Sequence, residues 1–191
     1  MSIALGTNDF VTSPFTILRD CREQAPWSFQ GLSTDAGQGS RPLLVPVKWH
    51  SLGNGRGDYT IEGMDHPETG WRISIERKSL ADLYGTILSR RERFVRELAN
   101  LDRMEYAAVV VEADWGHVVN YTPEHWLDRQ LTQAEQDYRR KTVVRSILAW
   151  QLRYGGVRWW LMPNRRAAEV WCFRLLWRWW NECVRIERPS V

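Results

Sequence analysis

The run Ala107-Ala108-Val109-Val110-Val111, closed by Tyr106 before it and Glu112 after it, constrains this chain more than any other segment. It is compact, uninterrupted and half β-branched, so it reads as a strand buried on both faces at the centre of a sheet. Cover on both faces means helices on both faces. The flanking sequence supplies them. From Ser79 onward, Leu80, Leu83, Ile87, Phe94, Leu98 and Leu101 recur at helical spacing, and Ser79 with Asp82 three residues later forms a start resembling a capping box.

The remaining elements follow the same alternation. Residues 15–20 read as a first strand ending in Asp20, and 30–42, rich in Gly and Ser, as a loop. Residues 43–49 read as a second strand and 53–57 as a flexible turn. A short helix is expected within 121–131 and a longer one over 135–154, carrying Val143, Val144, Ile147, Leu148 and Leu152 and stopped by Gly155-Gly156. A strand at 157–162 and a helix over 164–184 close the chain. The predicted fold is α/β, a central mixed β-sheet flanked by helices, preceded by a loose arm over residues 1–14.

One hairpin carries chemistry. Residues 71–75 alternate as a strand, so its tip delivers Glu76 and Lys78 to one face. Asp58 lies on the preceding extended segment, and Gly63, His66-Pro67 and Gly70 turn the chain back between them. This sets the Asp58 carboxylate beside that of Glu76. Two carboxylates at one spot repel unless a cation joins them, so the pair points to Mg²⁺ or Mn²⁺. A lone acid on a strand is more often solvated or ion-paired; the combination with Lys78 is what raises these residues above that background.

With 191 residues, 43% hydrophobic and 26% charged, the chain fits one full-sized domain with a real core. A net charge of +3 permits nucleic-acid binding without demanding it. Its arginines cluster at 90, 91, 93 and 96, at 139, 140 and 145 with Lys141, and at 165 and 166, either as basic patches or as solvated helix faces. Three cysteines without a Cys-x-x-Cys pair exclude a disulfide framework, and the four histidines lack ligand spacing. No apolar run is long enough to span a bilayer and no signal peptide is apparent, so an intracellular, cytoplasmic setting is expected. The last helix offers two apolar stripes, one through Trp171, Cys172, Leu175 and Trp179 and one through Val170, Phe173, Trp177 and Trp180. A core uses one, so the second suggests a partner surface, with stacking of unpaired bases on the tryptophans and simple burial in the core as the other two readings.

Gly57-Asp58-Tyr59 followed by Glu76-Arg77-Lys78-Ser79-Leu80-Ala81-Asp82 resembles the GDx…ERKxxxD signature of the XPF (ERCC4-type) family of structure-specific DNA endonucleases. Asp20-Cys21-Arg22-Glu23 is similar to that family's strand end, Ser89-Arg90-Arg91 falls where it often has Ser-Gly-Arg, and 109–112 matches its apolar strand ending in Glu. The stretch Asp20–Phe29 and the segment 146–154 look like the compact form found in bacteria and their phages.

The resemblance implies a restriction-endonuclease-like core over 15–187, without the helix-hairpin-helix module that usually follows. It implies hydrolysis of phosphodiester bonds in branched or junction DNA, in repair, replication or recombination. Asp58, Glu76, Lys78 and Asp82 would be catalytic; Asp58 and Glu76 would serve Mg²⁺ or Mn²⁺, and Asp20 and Glu23 would lie at the same site, serving a second ion or holding Arg77. Arg22, Arg77 and Arg91 would address phosphates or organise the acids. Pairing with a second nuclease domain, as homodimer or heterodimer, is also implied. The opposing expectation is a catalytically silent DNA-binding or scaffold subunit.

Overall fold

The computed structural model describes residues 10–34 and 39–187. Its centre is a six-stranded mixed sheet. In chain order the strands are β1 (Val11–Thr12), β2 (Ile17–Asp20), β3 (Leu43–Leu44), β4 (Val47–His50), β5 (Tyr59–Ile61), β6 (Asp65–His66), β7 (Gly70–Trp71), β8 (Ile73–Lys78), β9 (Tyr106–Val111) and β10 (Val157–Leu161). The helices are α1 (Leu80–Ser89), α2 (Arg91–Leu101), α3 (Trp115–Asn120), α4 (Glu124–Asp128), α5 (Gln133–Arg153) and α6 (Arg165–Glu187). The large sheet runs β10-β9-β8-β5-β2-β4; β8, β9 and β10 are parallel, and β5 is antiparallel to both its neighbours.

The β9 run is the central buried strand its composition predicts. Ala107, Val109 and Val111 face a core with Leu83, Phe94, Leu98, Val143 and Trp150 from α1, α2 and α5. Ala108 and Val110 face a second core with Phe173 and Leu176 of α6 and with Trp27 and Tyr59. Burying valine-sized side chains contributes roughly 1.5–3 kcal/mol each, so a strand apolar on both faces is stable only where both are covered.

The structure also redraws several expectations. The arm expected over residues 1–14 lies outside the described residues as far as residue 9, but Val11 and Thr12 form a strand parallel to Leu43 and Leu44. The strand expected over 43–49 divides into β3 and β4, which join different sheets. The single helix expected from Ser79 breaks at Arg90, whose φ of −123° and ψ of 28° are not helical. Helix α3, unforeseen, starts where the Asp114 carboxylate accepts the His117 N–H at 2.8 Å.

Both stripes of α6 make contacts within the domain. Phe173, Trp177 and Trp180 all pack on Phe15, with ring centroids 6.0–6.1 Å away. Trp179 packs on Tyr106 and Trp171 on Trp160. Phe15 thus covers part of the helix, and Val170, Leu175, Trp177, Trp179 and Trp180 remain half-buried at the margin of the core.

Candidate active site

The site lies at the end of β8, where the chain passes directly into α1. Alternation along β8 sends Ser74, Glu76 and Lys78 to the α1–α2 face, in register with Ala107, Val109 and Val111. Ile75 and Arg77 point to the α6 face. Ser79 then caps α1, its hydroxyl accepting the Asp82 N–H at 3.1 Å. This cap turns Asp82 back toward the strand end.

Asp58 arrives on the neighbouring β5 segment through Gly57. Here glycine is required: φ is +78°, and a Cβ would sit 2.1 Å from Ser74 Oγ. The close approach lets the Asp58 N–H donate to the Ile75 carbonyl at 2.8 Å, while Asp58 Oδ2 accepts the Arg77 N–H at 2.7 Å. Asp58 and Glu76 thus line one cleft of about 500 Å³ with Lys78, Asp82, Arg22, Arg90 and Arg93.

Charges in the cleft form a chain. Lys78 Nζ donates to Glu76 Oε1 at 2.6 Å and lies 3.3 Å from Asp82 Oδ2, and Asp82 Oδ1 meets Arg90 Nη2 at 2.5 Å. Burial pushes the Asp58 carboxyl well above the usual range and the Glu76 charge pushes it further, against the Arg77 N–H. Glu76 is also raised by burial, with Lys78 opposing. Burial alone would lower Lys78, but Glu76, Asp82 and Asp58 outweigh it and hold the ammonium above its ordinary value. Burial and mutual repulsion thus disfavour the charged forms of these two carboxylates, and a bound divalent cation would offset both.

Asp20 and Glu23 line the same cleft, and an arginine holds each of them. Asp20 accepts from the Arg22 N–H, Nε and Nη2 at 2.7–3.0 Å and from the Leu52 N–H at 2.9 Å, using both oxygens. Burial would raise its pKa, but these bonds lower it below the ordinary value. Glu23 Oε1 accepts from the Ala25 N–H at 2.7 Å and from Arg77 Nη1 at 3.2 Å.

Arg77 is a buried hub on the other side of the sheet. Its Nε and Nη2 donate to the two oxygens of Glu112, each at 2.8 Å. Glu112 also receives Trp27 Nε1 at 2.8 Å and Arg165 Nη1 at 2.9 Å. Arg91 lies outside the cleft, its Nη1 donating to Ser146 Oγ at 2.6 Å and its guanidinium 4.7 Å from the Trp150 ring. Arg90 and Arg93, which the sequence did not single out as site residues, occupy the place foreseen for Arg91. The helix break at Arg90 decides this, at the position where Arg90 stands for the glycine of the family's Ser-Gly-Arg.

The ERCC4 domain matches residues 46–175, well over half of the chain and spanning Asp58, β8, β9 and α5. The chain belongs to the ERCC4 domain family. Its fold is that of the XPF nuclease domains, restriction-endonuclease-like. XPF from Aeropyrum pernix in complex with DNA superposes with a TM-score of 0.53 at 18% identity, over 93% of this chain and 68% of that one. A second structure, XPF from Aeropyrum pernix, gives 0.50 at 17% identity, over 92% of this chain and 75% of that one. No curated protein matches the chain. In this ERCC4 domain, among the described residues, no three His, Cys, Asp or Glu side chains converge as a ready-made metal cluster. Asp58 and Glu76 nonetheless fit a hard cation: each keeps one oxygen, Oδ1 and Oε2, that accepts no hydrogen bond from the described residues. Mg²⁺ commonly takes one or two carboxylates and fills its shell with water and phosphate oxygens.

Proposed function

We propose that this ERCC4 domain is an endonuclease that hydrolyses phosphodiester bonds in branched or junction DNA, such as flaps, forks and recombination intermediates, in repair, replication or recombination. The observation that carries the reading is the convergence of Asp58, Glu76 and Lys78 in one cleft bordered by arginines. Family membership and the DNA-bound state of the Aeropyrum pernix XPF support it.

Asp58 and Glu76 would hold Mg²⁺ or Mn²⁺ through hard carboxylate oxygens. When bound, such an ion supplies Lewis acidity at a phosphoryl oxygen and an acidified water. Lys78, buried against Glu76 and held cationic, offers a fixed charge toward the charge that develops on the phosphate. Asp82 orients Lys78 from the far side and ties Arg90 to the cleft. Arg22, with about half of its side chain exposed, and Arg93 face incoming phosphates. Asp20 and Glu23 act by holding Arg22 and Arg77, and Arg77 organises the acids rather than touching substrate. We also place the domain in a dimer.

The test is cleavage of end-labelled single strand, duplex, flap, fork and four-way junction with Mg²⁺ or Mn²⁺, beside Glu76→Gln. The expected result is cutting near the branch, lowered at least about a hundredfold in the variant, the scale of removing a preorganised electrostatic contact. Binding of the branched DNAs without cutting by wild type would favour the silent scaffold instead. The complete acid and lysine set argues against that second reading.

A further inference from the structure

Beside the catalytic cleft lies an open groove of about 920 Å³ between the α1–α2 pair and α5. Ile87 and Leu88 line it on one side, with Arg91, Arg139, Arg145 and Tyr138 around them. Its charge is of a different kind from that of the cleft. In the cleft each arginine is paired: Arg22 with Asp20, Arg90 with Asp82 and Arg93 with Glu97.

In the groove no guanidinium has a carboxylate partner among the described residues. Arg91 is held by Ser146 and Trp150, and Arg139 lies 5.6 Å from the Trp126 ring. Arg145 is exposed and makes no ion pair among the described residues. The one acid lining the groove, Glu135, caps α5, accepting from the Thr132 N–H and hydroxyl at 2.8 Å each, and its charge acts on Arg139. Three guanidinium groups against one carboxylate leave the groove net positive.

The groove adjoins the cleft through the α1–α2 junction. Thr86 and Arg90 line the cleft, while the next residues, Ile87 and Arg91, line the groove. A strand leaving the cleft across this junction meets three cations, an apolar wall and Tyr138, which is 70% exposed. Phosphates alone would need only the cations. The apolar and aromatic surface suits bases that are not hidden in a duplex, because every base has a face that stacks.

We infer that this groove receives the single-stranded arm of a branched substrate, its phosphates on Arg91, Arg139 and Arg145 and its bases against Tyr138. The inference rests on the reading of the domain as a branched-DNA endonuclease, and it names the surface by which a branch is told from plain duplex.

The experiment measures affinity by fluorescence anisotropy, with metal chelated so that nothing is cut. The probes are a blunt duplex and the same duplex carrying an oligothymidine arm of about twelve nucleotides. Wild type binds the armed DNA more tightly. Arg145→Glu weakens armed binding about tenfold, lowers its salt slope by about one, and changes blunt binding less than about twofold. Tyr138→Ala weakens the armed DNA about fivefold or more, the scale of one lost base stack. Equal losses on both DNAs, no loss on either, or no wild-type preference for the arm overturn the inference. So does a dimer that Arg145→Glu splits in light scattering, which would make the groove a contact between copies. The cleavage series with Glu76→Gln separates the two failures: intact metal-dependent cutting without arm discrimination sinks the groove alone, and absent cutting sinks the nuclease reading.

Discussion

Asp58 and Asp20 sit at the ends of neighbouring strands and titrate in opposite directions, for reasons visible in their partners. Asp20 accepts four donors, so its folded pKa lies below the unfolded value. The stability it contributes is present above about pH 4 and is lost as pH falls through the folded pKa. Asp58 is buried beside Glu76, so its folded pKa lies above the unfolded value. Stability is then full below about pH 4 and is lost as pH rises through the folded pKa, leaving a cost at neutral pH. Asp58→Asn keeps an acceptor for the Arg77 N–H and removes the repulsion. It should raise the stability of the metal-free protein by about 1 kcal/mol at pH 7, with the gain fading toward pH 4. Added Mg²⁺ should raise the melting temperature of wild type and not of the variant. Melting curves across pH, with and without metal, check both; a wild type more stable than Asp58→Asn at pH 7 without metal would defeat the account.

At the scale of elements, the site depends on how β5, β8 and α1 are joined. Gly57 lets the Asp58 segment lie against Ser74 and Ile75, and no other residue fits both its φ and its space. Gly57→Ala should destabilise by more than about 1 kcal/mol, since alanine pays for the left-handed backbone and meets Ser74 Oγ. Denaturant midpoints measure this, and Ser74→Ala in the same chain should return only the steric part. The start of α1 was legible, because Ser79 and Asp82 stand at capping spacing. Its end was not. Apolar periodicity continues from Ile87 through Phe94, and no glycine or proline marks the break. Arg90 leaves the helix with its guanidinium on Asp82 and Thr86. Helix α3 could have been found: Asp114 precedes it as a cap, but six residues with one buried valine give no usable periodicity.

At the scale of the whole molecule, one sheet divides two cores, and helix α6 gives the second its buried residues Ala168, Cys172, Phe173 and Leu176 while its tryptophans stay half-buried. A second apolar surface lies on α5. Leu148 and Leu152, one turn apart on α5, are 51% and 88% exposed. If the domain pairs through this face, light scattering should give twice the monomer mass, and Leu152→Asp should return the monomer without changing the far-ultraviolet spectrum. A monomer at high concentration in wild type would remove the dimer from the account. The same scale explains Arg77, for which the resemblance left open contact with phosphate and the organising of the acids. Adjacent strand residues face opposite sides, and on its side Glu112, just past β9, Trp27 and Glu23 take up the space.

What the sequence determined by itself was whatever depends on period and local chemistry. The valine run could only be a covered strand, alternation put Glu76 and Lys78 on one face, and the spacing of Asp58 brought a second carboxylate to them. Pairings between side chains distant in sequence were decided by the tertiary structure alone. Whether Asp20 meets an ion or an arginine, whether α6 buries one stripe or two, and which of Arg90 and Arg91 enters the cleft all turn on the space and charge that other elements leave. Those choices are set by packing and by the cost of an unpaired buried charge, and neither can be read one residue at a time.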